Sequence, residues 1–269
     1  MHYVDQGSGP PVLMLHGNPT WSIYYRNLIA LLSPYFRCIA PDHIGMGKSD
    51  KPNDADYAYT LANRIADIDS LVSALALPDK LTLVVHDWGG MIGLGWAVDH
   101  VDRIAKLVIL NTAAFPLPPT KPMPWQLRLT RTPLGTLLVR GFNAFSWGAT
   151  HMAMTRTAMS SELRAAYTAP YDSWHNRLAT LRFVQDIPLQ PGDPGFDIVQ
   201  ATAAKLQQFA QTPVLIGWGA RDFVFDHHFL AQWKLHLPDA TVHEFADAGH
   251  YVLEDAAGLL QMIADFVRS

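Results

Sequence analysis

The sequence predicts an α/β fold, with a mostly parallel central sheet flanked by helices and interrupted by an inserted helical segment. Short apolar runs alternate with longer helix-length stretches, as in βα units on a parallel sheet. Several runs are apolar throughout, as expected for strands that helices cover on both faces. With 269 residues, of which 49% are hydrophobic and 16% charged, the chain can bury one large core.

Candidate strands and helices alternate along the chain outside one interval. The predicted strands span residues 11–15, 37–40, 81–85, 107–110, 213–216 and 241–245. The predicted helices span residues 25–32, 61–75, 90–99, 230–235 and 256–267. Because parallel neighbours need a crossover connection, we expect the helices to join successive strands of one sheet.

Residues 115–199 break this alternation. The interval opens with five prolines between positions 116 and 124, too many for a helix or a central strand. Helical segments with aromatic residues follow at 126–145, 160–167 and 174–183, before a second proline-rich stretch at 188–195. Abundant Trp, Phe, Tyr and Leu argue against a disordered linker. We predict a core formed by residues 1–114 and 200–269, with residues 115–199 as a helical cap.

Composition excludes several classes of protein. The net charge of −4 gives no basic footprint for nucleic acid. The single cysteine, Cys38, forms no intramolecular disulfide and suits a reducing compartment. The first residues lack the pattern of a signal peptide, and no uncharged apolar run reaches the roughly 20 residues of a membrane span. We therefore expect a cytoplasmic protein.

No cofactor or metal is predicted. The glycines around positions 45 and 90 fail the phosphate-loop and dinucleotide patterns. The pair His227 and His228 has no further metal ligand at a useful spacing. Chemistry is therefore expected from side chains alone.

Residues 84–90, Val-Val-His-Asp-Trp-Gly-Gly, join an apolar strand directly to a helix. Such a sharp turn exposes its central side chain at the end of the sheet, as in the nucleophile elbow, usually written G-x-S-x-G. Here Asp87 replaces the serine. A carboxylate is ionised at neutral pH and can displace a leaving group from saturated carbon, forming an ester. Taken alone, Asp87 could equally cap the following helix.

A candidate acid and base follow Asp87 in the chain. Asp222 lies after the fifth predicted strand, and His250 lies after the sixth. The order nucleophile, acid, base is that of the elbow-containing hydrolases, where the acid orients the imidazole. Asp226 is a rival acid. The fourth strand is followed by Asn111 and by no carboxylate, which favours Asp222 as the acid. Taken singly, His250 could be an ordinary loop histidine and Asp222 a helix cap.

Residues 16–22, His-Gly-Asn-Pro-Thr-Trp-Ser, form a turn after the first predicted strand. Backbone donors on such a loop can complete an oxyanion or leaving-group site together with the amide that follows the nucleophile. The side chains of Asn18 and Trp88 could additionally hydrogen-bond an anion. The turn alone is a weak signal. Together with Asp87, Asp222 and His250, in this order and on these loops, it predicts catalysis.

Three segments resemble the haloalkane dehalogenase family, whose members have the α/β-hydrolase fold. They are residues 16–21, 41–52 and 86–90. The resemblance implies that Asp87 is the nucleophile, His250 the base and Asp222 the acid, while Asn18 and Trp88 hold the departing halide. It also implies that this chain begins at the second strand of that family.

Further segments, most of them in the predicted cap, resemble the β-lactone decarboxylase family of bacterial long-chain olefin biosynthesis. They are residues 111–119, 121–125, 143–145, 169–172, 182–189 and 250–255. This resemblance implies conversion of cis-3,4-dialkyl-β-lactones to cis-alkenes and carbon dioxide, and assembly with the other enzymes of that pathway.

Three other functions, two enzymatic and one of ligand binding, compete with this interpretation. The first alternative is hydrolysis of haloalkanes to alcohol and halide by the same three residues. An epoxide hydrolase would need paired tyrosines over Asp87, such as Tyr167 and Tyr171, but the pair Asn18 and Trp88 argues against it. A ligand-binding receptor on the same fold is disfavoured by the complete set of nucleophile, acid and base.

Overall fold

The computed structural model describes residues 1–78, 80–122 and 125–269. These residues build a central sheet of seven strands. The strands are β1 (Tyr3–Gln6), β2 (Pro11–Leu15), β3 (Arg37–Pro41), β4 (Leu81–Asp87), β5 (Ile104–Thr112), β6 (Val214–Gly219) and β7 (Thr241–Phe245). Their order in the sheet is β1-β3-β2-β4-β5-β6-β7. Strand β1 runs antiparallel to β3, and the other neighbouring pairs are parallel.

Helices connect the strands and form most of the chain between β5 and β6. In the described ranges they are α1 (Arg26–Leu32), α2 (Leu61–Ala74), α3 (Trp88–Ala97), α4 (Trp125–Thr130), α5 (Pro133–Thr136), α6 (Ala144–Met152), α7 (Ser161–Thr168), α8 (Leu178–Gln185), α9 (Phe196–Lys205), α10 (His227–His236), α11 (Val252–Asp255) and α12 (Leu259–Arg268). Among the residues described, every helix is too short or too polar to cross a membrane.

Two apolar clusters pack on opposite faces of the sheet. Leu13 and Leu15 of β2 belong to the cluster that includes α2 and α3, whereas Val12 and Met14 belong to the cluster that includes α1 and α12. Successive side chains of a strand point to opposite faces, so a strand covered on both faces is apolar throughout. This explains the continuous apolar runs in the sequence and confirms the predicted fold class.

The strand predictions for residues 11–15 and 241–245 match the structure, and the other four strands are longer than predicted. Strand β1 was not among the predicted strands. In the predicted cap, the helical segment expected at 126–145 is helical but not continuous. The chain instead forms α4, α5, a π-helical turn over Leu137–Gly141, and then α6.

The break in this segment has a local cause. The Thr132 side chain accepts a hydrogen bond from the Gly135 amide, and Pro133 occupies the first turn of α5, where its missing N–H costs nothing. Asn143 adopts a left-handed conformation, with φ of 53°, and separates the π-helical turn from α6. A helix therefore restarts twice within a stretch that looks continuous in sequence.

The division into core and cap stays a prediction. Met123 and Pro124, which belong to the proline-rich opening of the predicted cap, lie outside the described residues. Helix α9 runs through the predicted boundary at residue 199 and packs against α3 beside the sheet. The part of the predicted cap that contacts the site described below is α8, which ends at Gln185, directly before Asp186.

Candidate active site

Asp87 occupies the sharp turn between β4 and α3. Its φ of 51° and ψ of −125° are unfavourable for a residue with a side chain, so the surrounding fold must hold this conformation. A Cβ on Gly17 would lie 2.1 Å from Asp87 Oδ1, and one on Gly89 would lie 2.0 Å from the Leu15 carbonyl oxygen. Only glycine at these two positions lets the turn after β2 approach the turn after β4.

The Asp87 carboxylate faces the site and does not cap α3, because its side chain makes no capping hydrogen bond. Its Oδ1 accepts a hydrogen bond of 2.7 Å from the Asn18 backbone N–H instead. The Thr112 hydroxyl donates to the Asp87 carbonyl oxygen and supports the turn from β5. The Asp87 residue is only 6% exposed. A buried carboxylate with few donors is a competent nucleophile.

His250 bridges the two predicted carboxylates. Its Nδ1 donates to Asp222 Oδ2 at 2.7 Å, and its Nε2 lies 3.5 Å from Asp87 Oδ2. Asp222 and His250 lie on the loops that follow β6 and β7, so the three residues meet at the carboxyl edge of the sheet. The structure thus brings together all three residues that the sequence places in a catalytic set.

Asn18 contacts Asp87 through its backbone N–H, and Trp88 is the next residue along the chain. The Asn18 side-chain amide donates a hydrogen bond of 3.1 Å to the Thr180 carbonyl oxygen of α8. The amide nitrogen of Asn18 carries a second hydrogen, for which no partner is assigned among the described residues. Its Oδ1 is buried without a hydrogen-bond partner among the described residues. Trp88 is buried, and its ring meets the Phe183 ring edge-on at 5.2 Å. Among the described residues, indole N–H groups donate hydrogen bonds at Trp96 and Trp233 and not at Trp88.

A family model described as the α/β-hydrolase fold matches residues 10–257. The chain belongs to the α/β-hydrolase family. This assignment agrees with the sheet order and with the turn at Asp87.

Two relatives and one solved structure narrow the comparison within the α/β-hydrolase family. The chain is 58% identical over 258 residues to a cis-3-alkyl-4-alkyloxetan-2-one decarboxylase from Shewanella oneidensis, covering 96% of this chain and 81% of the relative. It is 52% identical over 263 residues to a protein of the same name from Xanthomonas campestris, covering 95% and 87%. A haloalkane dehalogenase structure from Bradyrhizobium elkani superposes with a TM-score of 0.85 at 29% identity, covering 99% of this chain and 93% of the other.

Residues that the sequence did not single out support this α/β-hydrolase site. The Asn111 side-chain amide donates to Asp222 Oδ2 at 3.0 Å, and its Oδ1 accepts from the Gly219 amide at 2.8 Å. His86 Nε2 donates to the His250 carbonyl oxygen at 2.9 Å. Asn111 stands at the carboxyl end of β5, where a polar residue after an apolar strand was the available signal. These contacts hold the acid and the base on two separate loops.

The rival acid lies elsewhere. Asp226 caps α10 by accepting from the His228 amide, and its other oxygen receives the Lys121 ammonium at 2.9 Å. The expectation that His227 and His228 lack a third potential ligand is wrong, because ligand atoms of all three residues lie within 4.8 Å of one another. The Asp226 carboxylate is already bound by Lys121 and His228.

The two tyrosines considered for an epoxide hydrolase form hydrogen bonds with groups other than the Asp87 carboxylate. The Tyr167 hydroxyl donates to Glu254 Oε1 at 2.6 Å, and the Tyr171 hydroxyl donates to the Thr20 carbonyl oxygen at 3.3 Å. Both side chains are buried in these positions. This arrangement offers Asp87 no pair of phenolic donors.

The charges of the site are coupled. Burial disfavours a charged imidazole, but the carboxylates of Asp222 and Asp87 on either side raise the pKa of His250 to about 10. Burial alone would raise the pKa of Asp87, yet its hydrogen bond to His250 and the imidazolium charge hold that pKa below its usual value. The site without substrate therefore favours the imidazolium form of His250.

This coupling predicts a pH dependence of stability. The folded protein binds the His250 proton more tightly than the unfolded chain, so the stability it contributes is complete below pH 6.5 and is lost as the pH rises towards 10. One proton corresponds to a slope of at most about 1.4 kcal/mol per pH unit. Urea unfolding of the parent and of His250→Gln should show this slope only in the parent. Parallel stability curves would contradict the assignment of a charged His250.

Proposed function

We propose that this protein is a β-lactone decarboxylase, which converts cis-3,4-dialkyl-β-lactones to cis-alkenes and carbon dioxide with Asp87 as nucleophile. The observation that carries the proposal is its similarity to the two decarboxylases, which extends through the segment between β5 and β6 as well as the sheet. That segment contributes Thr180 and Phe183 to the surroundings of Asn18 and Trp88. The substrate-facing part of the site is therefore included in the similarity.

In the first step, a carboxylate oxygen of Asp87 attacks the ring carbon that bears the lactone oxygen. The bond between that carbon and the ring oxygen breaks, and the ring oxygen leaves as part of a free carboxylate. The intermediate is an ester of Asp87 with a carboxylate on the neighbouring carbon, and no proton is gained or lost. Ring strain lowers the barrier to this opening.

In the second step, the bond between the substrate carboxylate and its carbon breaks, releasing carbon dioxide. The bonding electrons form the alkene, and the adjacent carbon–oxygen bond to Asp87 breaks, which regenerates the nucleophile. The first step inverts the attacked carbon, so loss of the two groups from opposite sides gives the cis-alkene from the cis-lactone. Water is not consumed, which suits a site whose residues are almost wholly buried.

The other site residues have distinct roles in this scheme. Asn18 and Trp88 hold the carboxylate released by ring opening, with the indole N–H as the donor that lacks an internal acceptor. His250, kept protonated and oriented by Asp222, stabilises the Asp87 carboxylate as it departs. For as long as His250 stays protonated it cannot activate water, which favours elimination over hydrolysis of the ester.

The second candidate is hydrolysis of haloalkanes to alcohol and halide. The observation that favours it is the fold shared with the haloalkane dehalogenase structure. Asp87 would displace halide by the same attack on saturated carbon, and His250 would then activate water against the ester. Loss of the Asp87 charge in the ester lowers the pKa of His250, which permits this role.

The proposal also covers the role of the predicted cap, the location of the protein and its partners. Residues 115–199 act as a cap that selects long alkyl substrates through its apolar side chains. The protein works in the cytoplasm, where Cys38 stays reduced, and it assembles with other enzymes of olefin synthesis. A small apolar molecule is its substrate, and the proposed chemistry draws on no metal or cofactor.

A parallel assay tests the choice between the two activities. Purified protein is given a synthetic cis-β-lactone and, separately, a bromoalkane of matched chain length, while alkene, carbon dioxide and bromide are measured. We expect equal amounts of cis-alkene and carbon dioxide from the lactone, at a rate well above that of bromide release. Bromide release without alkene would overturn the lactone proposal and leave the dehalogenase.

A further inference from the structure

Arg64 of α2 and Asp186 form a buried ion pair beside the site. The Arg64 Nη1 lies 2.7 Å from Asp186 Oδ2, and the two side chains are 1% and 9% exposed. The Nε and Nη2 atoms of Arg64 are buried without a hydrogen-bond partner among the described residues. Removing two charges from water costs several kcal/mol per ion, and an apolar pair is often as stable. Stability alone therefore does not account for this guanidinium.

The guanidinium instead packs against the aromatic rings of the anion site. Its Cζ lies 3.8 Å from the centre of the Phe183 ring and 5.1 Å from the centre of the Trp88 ring. A cation over an aromatic face is attracted by the ring's electrons, most strongly where water is excluded. The cation also draws electron density from the indole, which makes its N–H a stronger donor to an anion.

Helix α8 and Asp186, the residue that follows it, meet the site at three positions of similar helical phase. The Thr180 carbonyl oxygen accepts from the Asn18 side chain, the Phe183 ring packs on Trp88, and Asp186 pairs with Arg64. The three positions are spaced by three residues and so lie near one face of the helix. Arg64 thus fixes the C-terminal end of the helix that touches both proposed anion donors.

We propose that Arg64 is a positioning residue of the anion site, which clamps α8 through Asp186 and strengthens Trp88 as a donor through its charge. The inference rests on the proposed anion-binding role of Asn18 and Trp88, and it adds a residue that touches neither Asp87 nor the reacting atoms. The Arg64 charge strengthens the binding of an anion. A neutral lactone is therefore not stabilised by it, whereas the carboxylate formed by ring opening is.

The test measures bromide binding without substrate, by calorimetric titration of the intact protein. Arg64→Met combined with Asp186→Leu removes both charges, so that no unpaired carboxylate is left buried. The matched control applies the same two substitutions to Arg182 and Asp54, an exposed pair that also joins α8 to a neighbouring loop. Arg64→Lys keeps the charge but loses the planar stack.

We expect the Arg64 double variant to bind bromide about tenfold more weakly, which corresponds to a loss of about 1.4 kcal/mol of binding free energy. The control should bind as the parent does, and Arg64→Lys should lie between the parent and the double variant. With the lactone, kcat should fall in the double variant while KM stays, because the interaction forms with the anion and not with the substrate. A purely structural defect would lower the fraction of folded protein. The bromide dissociation constant does not depend on that fraction, so a change in it reports on the anion site itself.

Parent-like bromide affinity in the double variant would overturn the role of Arg64 and leave the proposed function intact. Equal weakening in the control pair would also overturn it, since any loosening of α8 would then suffice. A parent that binds no bromide would instead contradict the anion site itself, and this proposal with it.

Discussion

Replacing Asp87 with Asn is expected to abolish both alkene release from a β-lactone and bromide release from a bromoalkane. The loss should be at least about 10⁴-fold, the scale observed when a covalent nucleophile is removed. An amide oxygen is a poor nucleophile towards saturated carbon, although the side chain keeps its size and can still accept from the Asn18 amide. Product formation is measured by gas chromatography, and folding by circular dichroism and thermal unfolding.

Asp226→Asn provides the matched control for this variant. It makes the same change at a carboxylate that caps α10 and pairs with Lys121. We expect near-parental turnover and at most a modest loss of stability. Undiminished turnover in Asp87→Asn would show that the reaction does not pass through an ester of this residue.

Replacing His250 with Phe is expected to stop turnover after the first chemical step. A phenyl ring fills a similar volume but can neither stabilise the departing Asp87 carboxylate nor activate water. Such a change costs about 10²- to 10⁴-fold in turnover. With a bromoalkane, the variant should release one bromide per protein molecule and then stop. With a β-lactone, intact-mass measurement should show a species heavier by the whole lactone.

His100→Phe serves as the control, because His100 lies after α3, stacks on Trp96 and touches none of the proposed site residues. Its turnover should remain close to that of the parent. If His250→Phe keeps turning over at the parental rate with no covalent species, then the imidazole has no part in the second step.

Much of this architecture follows from local sequence. The runs in β2 and β7 were predicted at their observed bounds, and Asp87, Asp222 and His250 were placed on the correct loops. Parallel strands end at one edge of the sheet, so polar residues that follow apolar runs converge there. The chain order then suggests His250 as the base, whereas the choice of Asp222 over Asp226 depends on the observed contacts of the two carboxylates.

Other features depend on contacts between distant parts of the chain. Strand β1 is a short, largely exposed edge strand that is defined by its antiparallel pairing with β3 and by no apolar run of its own. Asn111 supports Asp222 across 111 positions, and Arg64 reaches Asp186 across 122. Helical periodicity carries no information about such pairs. In the predicted cap, Thr132 and Pro133 carry the local signal for the restart of the helix.

In the proposed reaction, Asp87 forms a covalent ester with a carbon of the substrate. Proteolysis of His250→Phe after exposure to a cis-β-lactone, followed by mass spectrometry of the peptides, locates this ester in the chain. We expect the added mass of one lactone on Asp87. An adduct on any other residue, in a variant that still reacts with the lactone, would exclude Asp87 as the nucleophile.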